Sequence, residues 1–119
     1  MTVGSTWVKY SFVGDPSNGL AACAAQSTSP NGDAAGDAMV SVAAHELSEA
    51  VTDPLLNAWY NSQSGMENGD LCAWNFGNVT RQSSGSFYNV TFRAGSVSTN
   101  YLIQQNWVNA AGGYCALSY

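Results

Sequence analysis

The chain has 119 residues, a formal net charge of −5, 45% apolar residues and only 9% charged ones. That length permits one small domain with a single core, on which neutral Ser, Asn, Gly and Thr replace much of the usual charged surface. Lys9, Arg81 and Arg93 are the only cations, too few to neutralise a run of phosphates, which argues against nucleic acid and anionic membrane surfaces as partners.

In chain order, the opening "MTVGSTWVKYSF" has no basic stretch followed by an apolar run and is not a signal peptide. The sequence therefore reads as either a cytosolic protein or a piece of a secreted precursor. No segment approaches the roughly eighteen apolar residues of a membrane span. "TWVKYSFVG" (6–14) alternates as a strand and ends at Gly14-Asp15-Pro16. Residues 15–36, rich in Ser, Ala, Gly and Asp, read as loop. Asp37 then caps a helix, "AMVSVAAHELSEAV", that Pro54 closes. Its residues Val40, Ala43, Ala44, Leu47, Ala50 and Val51 form an apolar arc expected to face the core. Beyond a turn at "GMENGD", the segment "SGSFYNVTFRAG" reads as a strand with Tyr88, Val90 and Phe92 on one face. "TNYLIQQNWV" is a short helix or a strand, and "GGYCALSY" a final strand. The expected fold is α+β, a small single domain over residues 1–119, with one dominant helix packed on a mainly antiparallel sheet.

The chemistry concentrates at "HELSEAVTDP", residues 45–54. In an H-E-x-x-H zinc helix the two histidines, four residues apart on one stripe, are ligands and the second-position Glu is a general base. Here Glu49 stands at the second ligand position, so His45 and Glu49 are candidate ligands and Glu46 the candidate catalytic base. The one histidine and all three glutamates fall between residues 45 and 67. Glu67 is the candidate third ligand, as in gluzincin-type sites, with Asp70 as an acceptor orienting His45 and Asp53 continuing the helix stripe. Two carboxylates make Zn²⁺ a weaker Lewis acid and relax selectivity toward Mn²⁺ or Ca²⁺. The competing reading is a solvated helix face with a hydrogen-bonded histidine.

Other constellations are weaker. A Ser/His/Asp triad lacks a G-x-S-x-G elbow, and Cys23 or Cys72 is a conceivable partner for His45 in nucleophilic chemistry. Asp15, Asp33 and Asp37 lie in glycine-rich loops without an EF-hand pattern. Trp59, Tyr60, Trp74 and Phe76 fit a core, or a carbohydrate platform if exposed. Cys72 and Cys115 suit a disulfide, the alternative being three buried free thiols; Cys23 is then left over. Asn78 and Asn89 begin sequons that this composition produces by chance.

From "PNGDAAGDAMVSVAAHELSEAVTDPLLNAWY" onward the sequence resembles the EXORDIUM / phosphate-induced protein 1 family. The resemblance rests on Asn31-Gly32-Asp33, Asp37, Met39-Val40, Thr52-Asp53-Pro54, Asn57, Trp59-Tyr60, Glu67, Cys72, Tyr101-Leu102, Trp107 and Cys115. The A-H-E-L-S-E form is similar to microbial and fungal members, whereas many plant members carry apolar residues there, so a metal site is not what the whole family shares. The resemblance implies a secreted, cell-wall or matrix-associated protein of which this chain is the C-terminal portion. It also implies a preceding segment with its own cysteines, a candidate partner for Cys23. The expectation is an extracellular, zincin-like, metal-binding domain that acts on a peptide, protein or cell-wall component. The alternative is a non-catalytic module of the cell wall or extracellular matrix.

Overall fold

A computed structural model describes residues 1–118. Its N-terminal part is sparse in regular structure. Strand β1 (Thr2–Val3) pairs antiparallel with β2 (Thr6–Trp7) around Gly4, whose φ of 61° suits a residue without Cβ. The strand expected over 6–14 is thus confined to two residues, and Tyr10 and Phe12 beyond it are exposed. The segment 15–36 is not all loop, because it holds the short helix α1 (Leu20–Cys23) and the start of helix α2 (Ala34–Thr52).

The N-cap of α2 is Asp33, four residues before the expected Asp37; its Oδ1 accepts from the Gly36 amide at 2.9 Å. Asp37 instead lies in the first turn, where a carboxylate favours the positive helix end, and accepts from Ser29 Oγ and Asn31 Nδ2. Asn31 also staples this turn to the Asn100 backbone through both ends of its carboxamide. The helix closes at Thr52, ahead of Pro54, as expected.

After α2 the chain makes a single 3-10 turn (Asp70–Cys72) and three antiparallel strand pairs: β3 (Thr80–Arg81) with β4 (Phe87–Tyr88), β5 (Val90–Ala94) with β6 (Val97–Tyr101), and β7 (Asn106–Val108) with β8 (Tyr114–Ala116). Every pairing is antiparallel. The expected sheet beneath the helix is replaced by four separate two-stranded ladders. The expected strand over 84–95 breaks at Asn89, whose side chain donates to the Phe76 and Ile103 carbonyls and accepts from the Ile103 amide. The last strand stops at Ala116; Tyr119, in the segment read as that strand, lies outside the described residues. A disulfide joins Cys72 to Cys115, fastening the 3-10 turn to β8, while Cys23 is free and exposed.

The burial of α2 is the reverse of the expected one. Its inward stripe is Ala38, Ser41, His45, Ser48, Glu49 and Thr52, with Ser41 and Glu49 buried. The apolar arc faces solvent instead: Leu47 is 65% and Val51 71% exposed, and Val40, Ala43 and Ala50 are exposed too. Among the described residues the only buried hydrophobic ones are Ala38 and Cys72. The accessible surface is 7946 Å², whereas about 6,200 Å² is normal for a folded chain of this mass. The radius of gyration, 15.8 Å, likewise exceeds the roughly 13.5 Å of a compact domain of this length. The surplus area is about twice what one partner buries in a standard protein interface.

Candidate metal centre

Helix α2 brings His45 and Glu49 together one turn apart, and the 3-10 turn brings Asp70 over them. His45 Nε2 lies 3.1 Å from Glu49 Oε1 and 3.5 Å from Asp70 Oδ1. One ligand atom from each of the three lies within 4.8 Å of the other two. Ligand atoms around a tetrahedral ion with bonds of 2.0–2.2 Å are separated by about 3.3–3.6 Å, so the spacing fits a cation. The third member is Asp70, expected only as an orienting acceptor. Glu67, expected as the third ligand, is not in the cluster.

The local backbone explains that exchange. Glu67 forms a bridge with Tyr60, which commits its main chain to an extended conformation. Asp70 Oδ2 then accepts from the Glu67 amide at 3.1 Å, and the Asp70 amide donates to Glu49 Oε1 at 3.0 Å. The 3-10 turn is thereby locked onto the helix. Close approach depends on Gly69: a Cβ there would stand 2.8 Å from Glu49 Oε1 and 3.0–3.1 Å from the His45 ring.

The electrostatics are unbalanced. Among the described residues the ion pairs are His45 with Glu49 and with Asp70, and no Lys or Arg takes part. Burial raises the Glu49 pKa, opposed by His45 and reinforced by Asp70 and Glu67, while the Asp70 amide holds it down. Burial also raises Glu67, with Asp53, Asp70 and Glu46 adding to the effect. On the opposite ring edge, His45 Nδ1 is buried with no hydrogen-bond partner, so protein groups do not meet the polar demand of the ring. A divalent cation at Nε2 would answer the surplus of carboxylate charge.

The remaining candidates take other tasks. Glu46 is exposed, one helical position away from the cluster. Asp53, 4% exposed, does not orient a ligand; its Oδ1 accepts from the Asn57 and Ala58 amides and shapes the turn after Pro54. Ser48 Oγ bonds the His45 carbonyl and Asn106 Oδ1, not the imidazole, which removes the nearest triad serine. Cys72 is consumed by the disulfide, and Cys23 is on α1. Asn78 is exposed, whereas the carboxamide nitrogen of Asn89 is occupied by two carbonyls. Of the aromatics weighed as core, Trp59, Tyr60 and Trp74 are exposed and Phe76 is half-buried.

Residues 10–116 match the family described as phosphate-induced protein 1 conserved region. The chain belongs to that family. Among curated proteins it is 37% identical over 95 residues to Protein EXORDIUM-like 3 of Arabidopsis thaliana, covering 73% of this chain and 28% of that protein. It is also 37% identical over 90 residues to Protein EXORDIUM-like 5 of the same plant, covering 66% and 24%. The chain thus spans about a quarter of the length of the curated relatives it matches. No solved structure matches it. Many residues that carry the phosphate-induced protein 1 pattern here have structural tasks. Asn31, Asp33 and Asp37 build the start of α2, Asp53 and Asn57 the turn after it, and Cys72 and Cys115 the disulfide.

Proposed function

We propose that this chain is an extracellular metal-binding module of the phosphate-induced protein 1 family, in which His45 Nε2, Glu49 and Asp70 hold one divalent cation. The observation that carries the proposal is the convergence of the three ligand atoms within 4.8 Å, with no Lys or Arg paired to the carboxylates among the described residues. An imidazole with two carboxylates suits Zn²⁺ best, then Mn²⁺; Ca²⁺ prefers six to eight oxygens and is the poorest fit. Extracellular placement is supported by the disulfide, which persists in oxidising compartments. Metal analysis of protein purified without chelator tests the proposal. One equivalent of Zn²⁺, lost in both His45→Ala and Asp70→Ala, is the expected result. Absence of stoichiometric metal refutes it.

A second reading, a zincin-like peptidase, has a narrower basis. Asp70 keeps 43% of its side chain accessible, so the cluster opens to solvent, and Glu46 stands exposed beside it as a carboxylate able to take a proton from water. When bound, the cation would supply Lewis acidity. Hydrolysis of a peptide library that disappears in Glu46→Gln, with metal content unchanged, supports this reading; metal without hydrolysis leaves the binding module.

The partner of the exposed arc of α2 is proposed to be polypeptide corresponding to the unmatched part of the longer relatives. Its basis is the surplus surface, together with relatives about four times longer than the match. Co-expression of the chain with an upstream segment should protect α2 amides from hydrogen exchange; unchanged exchange counts against it.

A further inference from the structure

A cavity of about 570 Å³ lies outside the metal cluster and contains none of its three residues. Its walls carry Trp59, Tyr60 and Trp107 together with the carboxamides of Asn61, Asn68 and Asn109, and no acidic or basic side chain. Its size is that of ordinary ligand clefts.

Two walls are built to hold an indole in place. Trp59 has φ of +53° and is 63% exposed, an unusual state for a bulky aromatic that packing does not reward. The turn that imposes it is held by the buried Asp53 carboxylate through the Asn57 and Ala58 amides. Facing it from β7, Trp107 lies against Gly113, where a Cβ would stand 2.0 Å from the ring; Gly113 itself has φ of +90°. The floor is equally fixed. The Asn68 carbonyl accepts from the Trp107 amide at 2.9 Å, and Asn68 Oδ1 accepts from Thr52 Oγ1 at 3.1 Å. The second oxygen being engaged, the carboxamide NH₂ of Asn68 is the group left for the cleft.

We propose that this cleft binds a neutral oligosaccharide. Apolar C–H faces of pyranose rings stack on exposed indole and phenol rings. Asn61 and Asn68, whose side-chain oxygens accept from the Gln63 and Ser64 amides and from Thr52 Oγ1, present NH₂ donors, and Asn109 adds a carboxamide with donors and an acceptor for vicinal hydroxyls. The uncharged lining within a molecule of net charge −5 disfavours phosphorylated, sulfated or uronic-acid ligands. A proline-rich peptide would also stack on aromatics, but it has no hydroxyl pairs to use three carboxamides, so the sugar is the better fit.

The test is isothermal titration of the full chain, with tryptophan emission as a second readout. Its probes are hexasaccharides of β-1,4-glucose, β-1,3-glucose, β-1,4-xylose and β-1,4-N-acetylglucosamine, with oligogalacturonate and a proline-rich peptide as the alternatives. At least one neutral hexasaccharide should bind and perturb the emission. Affinity should fall about tenfold or more in Trp59→Ala, which removes an exposed ring and leaves thermal unfolding in place. The same loss is expected in Asn109→Ala, and EDTA should change nothing, because the metal cluster is separate. The proposal is overturned if no neutral hexasaccharide binds at millimolar concentration, if only the charged sugar or the peptide binds, or if Trp59→Ala binds as the parent does.

Discussion

Replacing Gly69 with alanine should damage the metal site while sparing the fold. Gly69 has φ of −70° and ψ of −45°, a helical conformation open to any residue, so the backbone carries no objection. The added Cβ would stand 2.8 Å from Glu49 Oε1, where ordinary contact begins at 3.4 Å. The carboxylate must therefore retreat by about 0.6 Å, and the His45 ring by about 0.3–0.4 Å, in a site that tolerates little displacement. Glu49 is only 7% exposed and is held by the Asp70 amide, so a retreat also stretches that bond. A loss of about 10- to 100-fold in Zn²⁺ affinity, the usual effect of disturbing groups that position ligands, corresponds to about 1.4–2.7 kcal/mol. Metal-free stability should fall by about 1–3 kcal/mol from overpacking. Competition titration with a chromophoric chelator measures the first quantity and urea unfolding in EDTA the second. Unchanged Zn²⁺ affinity in Gly69→Ala would refute the assignment of the cluster as the metal site.

Three further outcomes follow from the same geometry. Substituting both Cys72 and Cys115 by serine releases a cross-link spanning 43 residues of sequence and should cost about 4 kcal/mol on chain-entropy grounds; urea unfolding that changes by less than about 1 kcal/mol contradicts this. Leu47→Lys should alter the stability of this chain by no more than about 0.5 kcal/mol, because the side chain is 65% exposed; a loss of about 2 kcal/mol or more would mean that the apolar arc is buried after all. Glu49 and Glu67 are both raised above their ordinary 4.5, so the native state binds their protons more tightly than the unfolded one. Their stability contribution is complete below that value and is lost as pH rises through the raised pKa values. The metal-free Tm of the parent should therefore decline relative to a Glu49→Gln, Glu67→Gln variant as pH rises above the ordinary 4.5, while Zn²⁺ should stabilise the parent more as pH rises; a parent profile that climbs against the variant contradicts the shifts.

The long helix, its stop before Pro54, the antiparallel pairing and the His45–Glu49 stripe are all legible in the sequence because they depend on local spacing. The orientation of that helix is not. Periodicity finds two stripes on α2, but which one is buried depends on what packs there. Here Asn68, Gly69 and Asn106 take the polar stripe, leaving Leu47 and Val51 outside. The N-cap moved for a similar reason. Asp33 and Asp37 are equally good caps by type, and Ser29 and Asn31, reaching across the loop, claim Asp37. Glu67 and Asp70 are three residues apart, and spacing from the helix cannot rank them. The bridge from Tyr60 and the 3-10 turn behind it select Asp70. The strained turn at Trp59 had one signal available: Asp53 before Pro54 marks a tight turn, although its left-handed residue is set by the carboxylate behind it. Asn89 reads as a strand residue by alternation and is in fact the break between β4 and β5.

The central claim is the identity of the third ligand as much as the presence of a metal. Zinc stoichiometry and affinity measured side by side for His45→Ala, Asp70→Ala and Glu67→Gln address both. One equivalent of Zn²⁺ in the parent, lost in the first two variants and retained in Glu67→Gln, is the predicted pattern. Zinc retained in Asp70→Ala and lost in Glu67→Gln, or no stoichiometric zinc in the parent, would contradict it.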